Sequence, residues 1–295
     1  MNETSTVLLI LGMHRSGTSA VAGVLARLGV RFGNDLMPAA PSNPKGFYEH
    51  NRIVLINHHL LTTLGRAWND PRPLPVGWHQ DSRLAVYREA LQELIISEFS
   101  QIPLWGIKDP RICRLLPLWI PLLQDMGIAI RIVHVTRHPD EVALSLLARD
   151  GLDTGISHLL YIRHYLESVQ ESRNFSRVTV DFSTLLTQWK REIEKLVAGF
   201  GLNHISITRN ATNVNRFLDS KLRHHQASDT PQQGPFRNLS IQIFEGMQEV
   251  CSSHLTTKIQ QASRQIDLLH QQHLLSLIRS LRSTGISHVP IWHNK

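Results

Sequence analysis

The chain has 295 residues and carries 31 Lys+Arg against 24 Asp+Glu, a formal charge of +7 with histidine neutral. Hydrophobic residues at 42% and charged residues at 19% are a globular balance that excludes a disordered or collagen-like chain. No apolar run approaches the roughly 18 to 20 residues of a membrane helix, and the length permits one large α/β domain or two of about 150 residues.

Thr6 to Leu11 is a short, almost wholly apolar run, as expected of a strand buried on both faces of a parallel sheet. Gly12 ends it, and Ser16-Gly17-Thr18-Ser19 opens a helical pattern, Ala20 to Leu28, that stops at Gly29. Residues 30 to 48 carry three prolines and two glycines and read as a long loop, a kind that is often functional in compact domains. Two helices follow, Glu49 to Leu64 and Ser82 to Phe99, separated by a proline-rich turn from Pro71 to Trp78. Leu104 to Lys108, Ile130 to Thr136 and Arg177 to Phe182 read as further strands. Each is followed by a helical pattern: Leu115 to Met126 after the first, Pro139 to Arg149 and Ser157 to Glu171 after the second, and Ser183 to Phe200 after the third. The alternation predicts an open, mostly parallel sheet covered on both faces. After Ser228 a Pro/Gln/Gly loop to Asn238 leads into two helical stretches ending near Arg282, with Ile259, Ile266, Leu269, Leu277 and Leu281 at helical spacing for packing or a homodimer face. Cys113 and Cys251 are too few for a disulfide framework and belong to no Cys-x-x-Cys pair. With no basic segment ahead of the first apolar run, a reducing cytoplasm is the expected setting.

Gly12-Met13-His14-Arg15-Ser16-Gly17-Thr18-Ser19 has the Gly-x4-Gly spacing of a phosphate loop in its strand-to-helix context. Glycines let the backbone wrap closely, its N–H groups converge on phosphate oxygens, and the helix N-terminus adds a favourable dipole. The lysine that a nucleotide triphosphatase places after the second glycine is Thr18 here, the strongest local cation is Arg15, and no clear metal-holding Asp follows an apolar strand downstream. The loop therefore suits one phosphate and its substituent better than a Mg-bound triphosphate. A second constellation runs from Arg131 to Ser145, where a strand leads into Arg137 and Pro139 starts a helix with Ser145 two turns in. A guanidinium and a hydroxyl so placed can converge on one phosphate, although a strand-end arginine paired with Asp140 or Glu141 is an equally simple reading.

Together the two segments resemble those of the sulfotransferases that use 3′-phosphoadenosine 5′-phosphosulfate, more the carbohydrate and tyrosylprotein branch than the soluble small-molecule branch. Gly12 to Ser19 is similar to their 5′-phosphosulfate loop, and Arg137 with Ser145 to their 3′-phosphate motif, over roughly residues 5 to 225. The resemblance implies an α/β, P-loop NTPase-like three-layer sandwich with a helical C-terminal extension, divided as a domain at 1–225 and an extension at 226–295. It implies that donor, no required metal, and Arg15, Ser16, Gly17, Thr18 and Ser19 on the donor's 5′ end, with Arg137 and Ser145 on its 3′-phosphate. Glu49 stands about where relatives carry a catalytic glutamate, with His14 and His50 as alternative bases. Lys108, in the triplet Lys108-Asp109-Pro110, is similar to a lysine that faces the donor, whereas Asp109 and Arg111 read as a structural ion pair. Asp181 reads as a helix cap. Lys221-Leu222-Arg223-His224-His225 lies where some relatives close a basic loop over the 3′-phosphate, which makes Arg223 a further donor ligand, but the Arg-Lys-Gly triplet of the small-molecule branch is missing.

The activity these expectations describe is in-line transfer of a sulfuryl group to a hydroxyl or amine acceptor, with Glu49, Lys108 and Arg15 as its catalytic groups and no nucleic acid or membrane span involved. The competing readings are a P-loop kinase or nucleotidase with a rearranged phosphate loop, and a non-catalytic polyanion-binding module. Seventeen histidines invite a metal reading, but no Cys or carboxylate set completes a site around His58, His59, His270 or His273.

Overall fold

The computed structural model describes residues 5–218 and 235–248, all within one compact unit spanning residues 1–248. Four strands, β1 (Thr6–Leu11), β2 (Leu104–Lys108), β3 (Ala129–Thr136) and β4 (Arg177–Asp181), pair in parallel throughout in the order β2-β1-β3-β4. Alternation of side chains along β1 divides the core between the two faces of the sheet. Val7, Leu9 and Leu11 join one apolar cluster. It includes buried residues of α2 (Asn51–Thr63), α3 (Ala85–Phe99) and α4 (Ile112–Asp125). Leu8 and Ile10 join the other, which holds α1 (Thr18–Arg27), α7 (Phe182–Phe200) and α8 (Ala211–Phe217). Helices α5 (Pro139–Asp150) and α6 (Thr154–Glu171) follow β3. Burying both faces is what makes β1 and β2 near-continuous apolar runs, whereas β4 at the sheet edge is only partly buried, and the fold is the expected α/β sandwich.

From β1 the chain passes to β2 on one side, and from β3 it passes to β4 on the other. The connections therefore diverge at the carboxyl ends of β1 and β3, the position where open α/β sheets leave a crevice for ligands.

Several boundaries differ from the sequence expectations. Helix α4 begins at Ile112, three residues early, and tolerates Pro117 and Pro121 inside it. Helix α8, seven residues long, has no counterpart among the sequence expectations. Helix α9 (Pro235–Gln248) starts inside the expected loop, with its proline at the first position, where no intrahelical N–H bond is lost. It packs on α5 and α6. The expected division at residue 225 falls between α8 and α9, outside the described residues. Among the described residues no helix is long and apolar enough to cross a membrane. The proposed dimer face around Ile259 to Leu281, the site at His270 and His273, and Cys251 also lie outside them.

Candidate active site

The loop after β1 turns through two left-handed residues before α1 begins. Gly17 takes φ +90°, and an added Cβ would come within 2.2 Å of the Phe182 ring, so both conformation and space require glycine. Arg15 has φ 70° without being glycine, a strained arrangement of the kind that collects at ligand sites. The strain aims its guanidinium across the crevice: Nε donates to Ser145 Oγ at 2.8 Å and one terminal nitrogen donates to the Ser42 carbonyl at 2.8 Å. Arg137, at the end of β3, donates to the Arg15 carbonyl at 3.2 Å. The two motifs, more than a hundred residues apart in the chain, thus meet across the divergence of β1 and β3.

Their pairing differs from the simplest expectation. Arg137 Nε donates to Glu141 Oε2 at 2.9 Å, and Glu141 is fully buried, so the ion-pair reading of Arg137 holds. The Ser145 hydroxyl is engaged by Arg15. Helical geometry explains the split: Glu141 lies four residues from Arg137, within direct reach, while Ser145 sits one turn further along α5. Both arginines still line one cavity of about 300 Å³, together with Gly17, Thr18 and Ser19. Ser16 is completely buried beneath them.

Glu49 is displaced from its expected place. Instead of occupying the first turn of α2 it precedes the N-cap residue His50, in an extended segment paired with the long loop. Met37 N donates to the Glu49 carbonyl at 2.7 Å, Leu36 bridges His50, and Asn51 N donates to the Asp35 carbonyl at 2.9 Å. Tyr48, at φ 57°, supplies the turn into this segment. The carboxylate consequently points into the cavity and forms an ion pair with Lys108 at the end of β2, both side chains almost wholly buried. Lys108 Nζ also donates to Ser19 Oγ at 3.1 Å. Arg111 reaches the other Glu49 oxygen at 4.0 Å while holding Asp109 at 2.9 Å, the structural pair expected from the sequence. Asp109 is fully buried, and Asn57 donates to it at 2.9 Å.

The cavity is strongly cationic. Arg15, Lys45, Lys108, Arg111, Arg137 and Arg149 line it against two acids, Glu49 and Asp150. Arg149 is paired with Asp150, but among the described residues no carboxylate lies within ion-pair distance of Arg15 or Lys45. Burial, reinforced by the Arg149 and Arg137 charges, lowers Arg15 to about 10, as crowding of like charges requires. An anion entering here relieves that repulsion.

Of the alternative bases, His14 lines the cavity and His50 does not. Burial, with the Arg111 charge next in importance, pushes His14 well below the ordinary imidazole range and leaves it neutral. Its ring centroid lies 4.4 Å from that of Trp68, and its Nε2 is buried without a hydrogen-bond partner among the described residues. His50 packs against Gly33, and its Nε2 lies 3.9 Å from Glu98. Asp181 accepts hydrogen bonds from Thr184 N at 2.8 Å and Thr184 Oγ1 at 2.9 Å and so caps α7, as expected. Arg223 and its basic neighbours lie outside the described residues. Among the described residues no group of three potential ligands could hold a metal ion.

Trp68, Arg149 and Phe182 escaped sequence reasoning. Phe182 was legible in principle, since it follows a strand whose carboxyl end faces the crevice, and the Arg137 guanidinium lies 5.0 Å over its ring. Trp68 carried no comparable signal. It reaches the cavity because Arg114 holds the turn beyond it, donating to the Asp70 carbonyl at 2.7 Å and the Arg72 carbonyl at 2.6 Å.

No protein-family model matches the chain, and no curated protein does. Among solved structures it is similar to the sulfotransferase domain from the olefin synthase of Synechococcus PCC 7002, at 12% identity over 90% of this chain and 97% of that one, with a TM-score of 0.44. It is similar to the sulfotransferase domain from the curacin biosynthetic pathway, at 10% identity over 90% and 99%, with a TM-score of 0.42. It is also similar to the sulfotransferase STF1 from Mycobacterium tuberculosis H37Rv, at 12% identity over 83% and 76%, with a TM-score of 0.40. All three carry the name sulfotransferase.

Proposed function

We propose that the protein is a sulfotransferase that moves a sulfuryl group from 3′-phosphoadenosine 5′-phosphosulfate to a hydroxyl or amine by in-line displacement. The observation that carries this reading is the Glu49–Lys108 pair beside Ser19, at the start of α1 in a cationic cavity. A carboxylate and an ammonium in contact at a phosphate loop are a base and an electrostatic stabiliser placed on one reacting centre. Glu49 takes the acceptor proton as the new bond to sulfur forms. The bond from sulfur to the phosphate oxygen breaks, and Lys108 stabilises the negative charge that builds on the departing phosphate.

Donor binding falls to the remaining residues. The backbone from Arg15 to Ser19, the positive end of α1 and the Thr18 and Ser19 hydroxyls hold the 5′ end. Arg137 and Ser145 hold the 3′-phosphate, with Arg15 spanning the two regions through Ser145. The absence of a lysine at Thr18 fits a donor that reacts without a bound metal ion and fits a kinase poorly. The acceptor is left open among sugars, lipids, peptides and small metabolites.

Thermal-shift measurements test the reading. Adenosine 3′,5′-bisphosphate without Mg²⁺ is expected to stabilise the protein, by about 2.7 kcal/mol at a hundredfold excess over Kd. A response to ATP with Mg²⁺ and none to saturating bisphosphate would overturn it. A screen of acceptors with labelled donor then identifies the substrate.

A further inference from the structure

Helix α9 contacts the segment that carries Arg137 at alternate positions on both sides of it. At one end Gln248 Nε2 donates to Thr136 Oγ1 at 2.8 Å and lies 3.3 Å from Asp181 Oδ2, joining the carboxyl ends of β3 and β4. In the middle the Phe244 ring meets the His138 ring edge-on, with centroids 5.5 Å apart. At the other end Arg237 grips Asp140 with both prongs of its guanidinium, at 2.9 and 2.7 Å. Asp140 is fully buried in the first turn of α5, and its other titratable neighbours are His158 at 3.5 Å and His138 at 3.8 Å. Burial lowers His158 to about 4, against the opposing pull of Asp140, so that ring is neutral at pH 7. The guanidinium that pairs with this buried carboxylate, which adjoins Glu141 in the chain, is supplied by α9.

We infer that Arg237 is a positioning residue for the proposed transfer: through Asp140 it sets the start of α5 and with it the Arg137–Glu141–Ser145 geometry, so that α9 governs how well the donor's 3′-phosphate is recognised. The inference rests on the donor reading above. Arg237 does not line the cavity and acts through Asp140. A carboxylate left uncompensated at that depth must find another partner or shift, and Arg137 lies on the segment that shifts with it.

The experiment compares two ligands on the full-length chain. In wild type, adenosine 3′,5′-bisphosphate binds more tightly than adenosine 5′-monophosphate, and the ratio of their dissociation constants measures 3′-phosphate recognition. Arg237→Ala is expected to reduce that ratio about tenfold by weakening only the bisphosphate, since small misplacements of positioned groups carry effects of this order or larger. Arg237→Lys, which keeps the charge and loses the fork, falls between the two and is decisive should the alanine variant fail to fold. An unchanged ratio in a folded variant overturns the role of Arg237, as does an equal loss for both ligands, because packing alone would weaken them together. Failure of wild type to bind the bisphosphate overturns the donor reading itself.

Discussion

The Glu49–Lys108 pair makes stability and catalysis separable. Its side chains are 8% and 3% exposed, so Glu49→Gln leaves an ammonium and Lys108→Met leaves a carboxylate buried without its partner. Removing one member of a buried pair costs about 3 to 5 kcal/mol, and the cavity that wets one side of this pair puts the expected loss at the lower end, about 3 kcal/mol. For a domain of this size that lowers the melting midpoint by roughly 6 to 12 °C. The double variant Glu49→Gln/Lys108→Met removes both charges and is expected to recover most of that loss, since exchanging a whole buried pair for neutral groups is close to neutral. Turnover behaves differently. Glu49→Gln deletes the proposed base and is expected to cost about 10² to 10⁴ in kcat with bisphosphate affinity retained, and the double variant stays as inactive as the single one. Denaturant unfolding followed by fluorescence measures the first quantity, and labelled-donor kinetics the second. A double variant no more stable than either single variant would refute the coupling. Full turnover in Glu49→Gln would move the base to His14, the other candidate that lines the cavity.

Gly17→Ala is expected to destabilise the protein by about 2 to 4 kcal/mol, because left-handed backbone costs an alanine about 1 to 2 kcal/mol and the new methyl meets the Phe182 ring at 2.2 Å; urea titration checks it. Cys113 accepts a hydrogen bond from Gly12 N at 3.1 Å and is raised by burial to about 12. In a Cys251→Ser background its thiol is expected to stay silent towards thiol reagents at pH 8 until the protein unfolds. Burial holds His134 and His164 at about 3 in the folded state, against about 6.5 unfolded. Their folded values lie below the unfolded one, so this stabilisation is present above pH 6.5 and is lost as pH falls towards 3. From pH 7 to pH 5 each is expected to subtract about 2 kcal/mol from the unfolding free energy; His134→Gln should flatten the measured slope over that interval.

Local pattern carried most of the fold. The apolar runs that define β1 and β2 need no tertiary information, because a strand covered on both sides has no polar face to obscure it. Pro139 marked the start of α5, and Gly29 the stop after α1, each through its own backbone restriction. The errors fell where local signals compete. Helix α4 starts three residues before the expected Leu115, and its ten buried side chains outweigh the two hydrogen bonds lost at Pro117 and Pro121. The short α8 has too few residues to display a period, and its Val214 and Phe217 are held by the core they fill.

The site divides in the same way. The glycine loop and the Arg137–Ser145 spacing were legible because a phosphate loop is a contiguous device, built from backbone conformation and the helix that follows it. What the fold alone decided is which groups meet. Met37 pairs with Glu49, and the strained turn at Tyr48 lifts that carboxylate out of α2 to face Lys108 from a strand nearly sixty residues away. Arg15 takes the Ser145 hydroxyl, Arg137 takes Glu141, and Arg237 arrives from a helix a hundred residues later to hold Asp140. Spacing along a chain fixes which residues share a helix face, but a pairing between separate elements depends on how strands order themselves in a sheet and which faces their helices bury. The residue types needed for an anion site are therefore written into the sequence, and the division of labour among them follows from the divergence of β1 and β3.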